Sequence, residues 1–232
     1  MSDLDQTRIQ KIGNRLITLL CRFLVVLLTR REVTGETNIP QQGPLLVVTN
    51  HLSMADQFFA AFYVRRQMRY IAKEELFRPL PMKLLLEAFG AFPVRRGILD
   101  RRTLNQARQV LDSGRALFVF PEGTRSRNAQ LQPAYPGTAI IALHNNVPIL
   151  PIGITGLEHV RDGPFWWIVR RHKVTVRINI GKVFYLPAGE EIPNKTRLRE
   201  LIDSVMEHIA ELLPPEYQGY YAKREPSHET GD

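Results

Sequence analysis

Four short segments of this 232-residue chain hold the side chains best suited to chemistry. The first runs from Thr49 to Asp56 and contains Asn50, His51 and Ser53. If the whole segment were helical, His51 and Asp56 would lie about 140° apart and could not meet. A helix starting near Ser53 changes this: Ser53 caps it, and Asp56, at the third helical position, points back toward the loop carrying His51. The aspartate would then fix the imidazole tautomer, and the free ring nitrogen could take a proton from a hydroxyl. Two blander roles fit the same residues: Asp56 as a capping carboxylate, and His51 as a loop histidine bonded locally.

The second segment, Gly90 to Gly97, ends a strand with Arg95 and Arg96, a fit for an anion or simply a solvated charge pair. In the third, Phe120-Pro121-Glu122-Gly123-Thr124-Arg125-Ser126, Gly123 permits close backbone approach. Arg125 offers a forked grip on phosphate, and Thr124 and Ser126 add hydroxyls. Glu122 could orient an arginine or accept from a hydroxyl; a plain polar turn is the alternative. The fourth, Val147 to Ile154, has nothing ionisable. Its two prolines suggest an edge strand or a bulge, and Pro148 and Ile149 are candidates to wall a pocket.

The elements that must position these segments alternate along the chain. Apolar strand runs are expected at residues 45–49, 68–72, 91–94, 116–120, 148–154 and 174–180. Helical spacing is expected at 54–64, 81–89, 99–111, 138–144 and 195–213, the last opened by Asn194. This order predicts an α/β fold: a single domain with a mostly central β-sheet flanked by helices. The first and third segments then share the carboxyl edge of the sheet, where such folds bind ligands. Residues 1–31 are expected to be an amphipathic helix, and after Arg30 and Arg31 a short polar linker runs to Pro40-Gln41-Gln42-Gly43-Pro44. Residues 32–215 form the domain, and 216–232 a flexible polar tail.

Composition narrows the classes. With 44% hydrophobic residues the chain can bury one sizeable core, and 23% charged residues exclude wholesale disorder. The single cysteine, Cys21, excludes an intrachain disulfide and a thiolate zinc cluster. The net charge of +8 favours anionic partners. Nucleic acid is not expected, because the arginines lack interleaved stacking aromatics.

From Thr7 to Thr29 the residues Arg8, Lys11, Arg15, Thr18, Arg22 and Thr29 fall within an arc of roughly 80°, and Leu, Val, Ile and Phe wrap much of the rest. Arg22 breaks the run before it reaches the ~20 apolar residues of a spanning helix. The wide apolar arc favours a helix lying in a membrane interface over one packed on its own domain. Phe165-Trp166-Trp167-Ile168 beside Arg170 and Arg171 is either a second interfacial anchor or packing under a loop.

In this order the four segments resemble the four blocks of the glycerolipid acyltransferases, most closely the 1-acylglycerol-3-phosphate acyltransferases. Asn50, His51 and Asp56 match Asn-His-x4-Asp. Gly90, Phe92 and Arg96 match the glycine–phenylalanine–arginine block. Phe120 to Ser126 match without a change, and Val147 to Ile152 match the Val-Pro-Ile strand. The resemblance implies direct acyl transfer from acyl-CoA or acyl-carrier protein to the sn-2 hydroxyl of a lysophospholipid. No cofactor, metal or acyl-enzyme is needed. His51 would be the base and Asp56 its orienter. Lys73, Arg96, Glu122, Gly123, Thr124, Arg125 and Ser126 would bind substrate, and Phe92, Pro148 and Ile149 would line the acyl chain. It also implies a monotopic protein on an anionic membrane surface, its site on the cytoplasmic face. The alternatives are another lysolipid acceptor, or a non-catalytic basic membrane-binding protein.

Overall fold

The computed structural model describes residues 29–95, 100–158, 174–187 and 194–222. Residues 1–28 of the expected N-terminal helix and the Phe165–Arg171 segment lie outside them. Seven strands form one sheet in the order β1-β7-β6-β2-β5-β3-β4. They are β1 Thr29–Thr34, β2 Leu45–Thr49, β3 Met68–Lys73, β4 Ala91–Val94, β5 Ala116–Val119, β6 Ile149–Thr155 and β7 Val174–Ile180. The block from β6 to β4 is parallel. β7 runs antiparallel to β6, and β1 runs parallel to β7, so the sheet is mixed.

The helices are α1 Asp56–Val64, α2 Leu80–Ala88, α3 Arg101–Asp112, α4 Gly137–Asn145, α5 Lys195–Ala210 and the short α6 Pro215–Gln218. Side chains alternate across a strand, so the sheet feeds two cores. Leu45, Val47 and Phe118 pack with Phe59 and Ala60 of α1. Leu46, Val48, Leu117 and Val119 pack with Ala107 and Leu111 of α3, Ile141 of α4, and Ile202, Val205 and Ile209 of α5. All five residues of β2 and all four of β5 are buried, so this pair needs cover on both faces. Two helix starts follow from single side chains. Asp100 accepts from Thr103 N at 2.8 Å, and Asn194 from Arg197 N at 2.8 Å.

Three expectations are corrected. The end of the expected N-terminal helix and the start of the linker after it are a strand: β1 pairs with β7 from Thr29 to Thr34. β6 lies inside the sheet despite Pro148 and Pro151. The Pro151 carbonyl accepts from Gly181 N at 2.9 Å, so its donor-less nitrogen faces the segment just after β7 and costs β2 no bond. The chain after Glu216 does not fray before residue 222. Tyr221 is buried, and its hydroxyl donates to Asp203 at 3.0 Å and accepts from Ala134 N at 3.2 Å.

Candidate active site

β2 and β5 run side by side, with Val48 opposite Val119, so their following loops start together at the carboxyl edge. The β2 loop turns once, at Met54 and Ala55, before α1 begins at Asp56, two residues later than the capping pattern implied. The reason is the Asp56 carboxylate. One oxygen, Oδ2, accepts from Leu52 N at 2.7 Å and Ser53 N at 2.9 Å, while Ser53 Oγ only accepts from Ala55 N at 3.3 Å. The same Oδ2 lies 2.8 Å from His51 Nδ1. Asp56 is fully buried, whereas His51 is partly open. A carboxylate only accepts, so Nδ1 donates the hydrogen bond and Nε2 keeps its lone pair.

The imidazole is held on its face as well. It stacks on Phe120 with centroids 3.7 Å apart and 16° between planes. The His51 peptide is gripped at both ends by the β5 loop: its N–H donates to Glu122 Oε1 at 3.1 Å, and its carbonyl accepts from Ser126 N at 2.8 Å. Beside it, buried Asn50 bridges to β6. Its Oδ1 accepts from Ile154 N and its Nδ2 donates to Ile154 O, both at 2.8 Å.

Glu122 is buried and also accepts Gln132 N through Oε2 at 2.9 Å. Burial pushes its carboxyl up to about 7; the two backbone donors pull it down, and Asp56 nearby pushes it further up.

A cavity of about 530 Å³ opens over His51. Of the residues expected to bind substrate, Lys73, Gly123, Thr124 and Arg125 lie on its wall. Ile71, Leu76, Leu86, Val94, Val119 and Ile141 make much of the rest apolar. Glu122 and Ser126 sit off the wall, with the Ser126 hydroxyl donating to Asn128 Oδ1 at 3.1 Å. Their observed work is on the His51 backbone. Arg96 lies outside the described residues; Arg95 is on the rim, bonded to Glu74 at 2.9 Å.

The three acyl-chain candidates are not on this wall. β6 is parallel to β2, so Pro148 and Ile149 fall at the far edge of the sheet from His51. Phe92 points to the same face as Val94 but one step deeper, into the core of α3 and α4. The apolar wall instead comes from strand ends and from α2 and α4. Helical spacing marked those helices in the sequence but not which face met a cavity. Gln57, Thr103 and Tyr135 are further wall residues that sequence reading missed.

The acyltransferase family model matches residues 30–155, which hold every one of these loops. A 1-acyl-sn-glycerol-3-phosphate acyltransferase of Chlamydomonas reinhardtii is 26% identical over 192 residues, 81% of this chain and 54% of the relative. A lyso-ornithine lipid O-acyltransferase of Pseudomonas aeruginosa is 32% identical over 146 residues, 62% of this chain and 53% of the relative. The chain spans about half the length of the curated relatives it matches first. The crystal structure of the LPA acyltransferase PlsC from Thermotoga maritima shares the fold. It has a TM-score of 0.63 at 24% identity, covering 89% of this chain and 83% of that one. With more than half of its length matched and the histidine–aspartate loop inside the match, the chain belongs to the acyltransferase family.

Proposed function

We propose that this chain transfers a fatty acyl group from acyl-CoA or acyl-carrier protein to the sn-2 hydroxyl of 1-acyl-glycerol-3-phosphate, giving phosphatidic acid. The observation that carries this reading is the 2.8 Å contact of His51 with buried Asp56 beside a largely apolar, cation-rimmed cavity. Several relatives bear the name of that activity.

In this mechanism Nε2 of His51 takes the hydroxyl proton as the oxygen attacks the thioester carbonyl. The new C–O bond forms, the C–S bond breaks, and the leaving thiolate recovers the proton from the imidazolium. Asp56 holds the ring and stabilises its charge. Arg125, Lys73 and Arg95 on the rim hold the acceptor phosphate, and the apolar wall takes an acyl chain. The substrates place the enzyme at a bilayer, on the cytoplasmic side that supplies acyl thioesters. No helix among the described residues is long and apolar enough to cross a membrane.

The test is purified protein with a panel of lysolipids and both thioester donors, read by product mass spectrometry, with His51→Ala beside it. Phosphatidic acid formation that disappears in the variant supports the reading; equal turnover by the variant ends it. A second acceptor class, a lysolipid with an amino-acid head, is favoured by the rim itself. Glu74 and Glu75 stand beside Arg95 and Lys73, so the mouth carries both signs of charge.

A further inference from the structure

One wall of the cavity is built by the turn Glu74–Phe77 and by α2, with Leu76 and Leu86 on the inside. The outside of the same wall carries Leu80, 66% exposed, and Leu84, 58% exposed. Among the described residues six large hydrophobic side chains are exposed, and these two are the only leucines. They are four residues apart on one helix, so they stand on one face, one turn apart. Pro79 and Pro81 are exposed beside them, as are Arg78 and Lys83.

The charges around this face are Lys73, Arg78, Lys83 and Arg95 against Glu74, Glu75 and Glu87, one positive charge in excess. Glu74 and Glu75 are tied to Arg95 and Lys73, and Glu87 stands 4.0 Å from Lys83. Arg78 and Lys83 flank the leucines with flexible cations. A stable protein interface takes about 800 Å² from each partner, far more than two leucines and two prolines offer. Small apolar anchors between cations suit a headgroup layer over an acyl interior.

We propose that this face of α2 docks the protein on an anionic lipid bilayer, with Leu80 and Leu84 at the acyl boundary and Arg78 and Lys83 at the phosphates. The wall that guides substrate inward on one side then rests on the membrane with the other, and the cavity mouth opens at the lipid surface. This rests on the reading above that the acceptor is a lipid.

The experiment uses the full chain with phosphatidylglycerol vesicles and with phosphatidylcholine vesicles. We expect L80S/L84S to weaken partition to the anionic vesicles about tenfold, and R78A/K83A to weaken it several-fold while erasing the preference for them. Turnover of lysolipid carried in vesicles should fall in step with partition. Turnover of a short-chain, monodisperse lysolipid should stay within about twofold. The exposed Tyr185→Ser is the control and should change neither. In a Cys21→Ser background, Leu84→Cys carrying an environment-sensitive dye should shift to the blue on vesicles.

Unchanged partition by L80S/L84S overturns the proposal. A drop in melting temperature alongside would mean that another part of this chain covers the leucines; a change in sedimentation would mean that a second copy does. If the wild-type chain turns over no lysolipid at all, the functional reading fails, which the vesicle-binding arm does not depend on.

Discussion

Glu122 holds two main chains at once: one carboxylate oxygen accepts the N–H of His51 at 3.1 Å and the other that of Gln132 at 2.9 Å. The histidine therefore stands on a backbone anchored to a buried acid rather than on a free loop. Burial has a thermodynamic consequence, since it lifts the Glu122 carboxyl from its ordinary 4.5 to about 7.

Between these two values the folded protein retains a proton that the unfolded chain has released. Stability therefore falls as pH rises from about 4.5 to about 7, by up to about 3 kcal/mol from this group, and levels off above. Glu122→Gln lacks the titration and turns an N–H donor toward one of the two backbone donors. Its deficit against wild type should be largest near pH 4.5 and shrink toward pH 7. Urea denaturation across this range checks it, and a gap that stays constant with pH would contradict it.

Asp56→Asn keeps the shape but offers one acceptor oxygen and one amide to three donors. The imidazole loses its orienting charge, and turnover should fall by about 10²–10⁴-fold. Steady-state kinetics should show the loss in kcat with KM for the acceptor changed far less. A loss confined to KM would argue against the orienting role.

Asn50→Ala would leave the N–H and C=O of Ile154 without their partner inside the core. Two such groups cost about 2–4 kcal/mol together. The predicted sign is a lower denaturation midpoint with an unchanged slope. Because Asn50 adjoins His51, kcat should also fall several-fold in protein that remains folded.

Gly156 has φ +90°, and a Cβ there would come 2.1 Å from the Thr175 carbonyl oxygen, an atom that cannot swing away. Gly156→Ala should cost more than about 3 kcal/mol, through the left-handed backbone and the clash together. Gly114, at φ +71° with open space around it, is the comparison: Gly114→Ala carries the conformational cost alone and should be milder. Thermal melts of the two variants separate the contributions.

The parts of the fold legible in sequence are those where a local pattern is also the cause. β2, β4 and β7 begin and end where their apolar runs do, because burial on the sheet sets both. β1 was hidden: its outward positions are Arg30, Glu32 and Thr34, and its inward ones are Thr29, Arg31 and Val33, so a polar edge strand reads as linker. The His51 and Asp56 spacing pointed to a meeting, but the manner was not legible. A capping serine was expected, whereas Asp56 itself collects the loop's N–H groups. The place of Glu122 depends on Gln132, ten residues on, and no local pattern encodes that tie. Pro148 and Ile149 misled because a motif records neighbourhood in sequence, while strand direction decides which end of β6 meets the cavity.

The His51 peptide is fastened to the loop after β5 from both sides, by Glu122 at its nitrogen and by Ser126 at its carbonyl. For anyone exchanging parts between relatives, this makes residues 50–56 and 120–126 a single cassette. Grafting either alone from a distant cousin would misplace the imidazole by whatever the foreign loop lacks. Grafting both together, with residue 132 included, transfers His51 already seated.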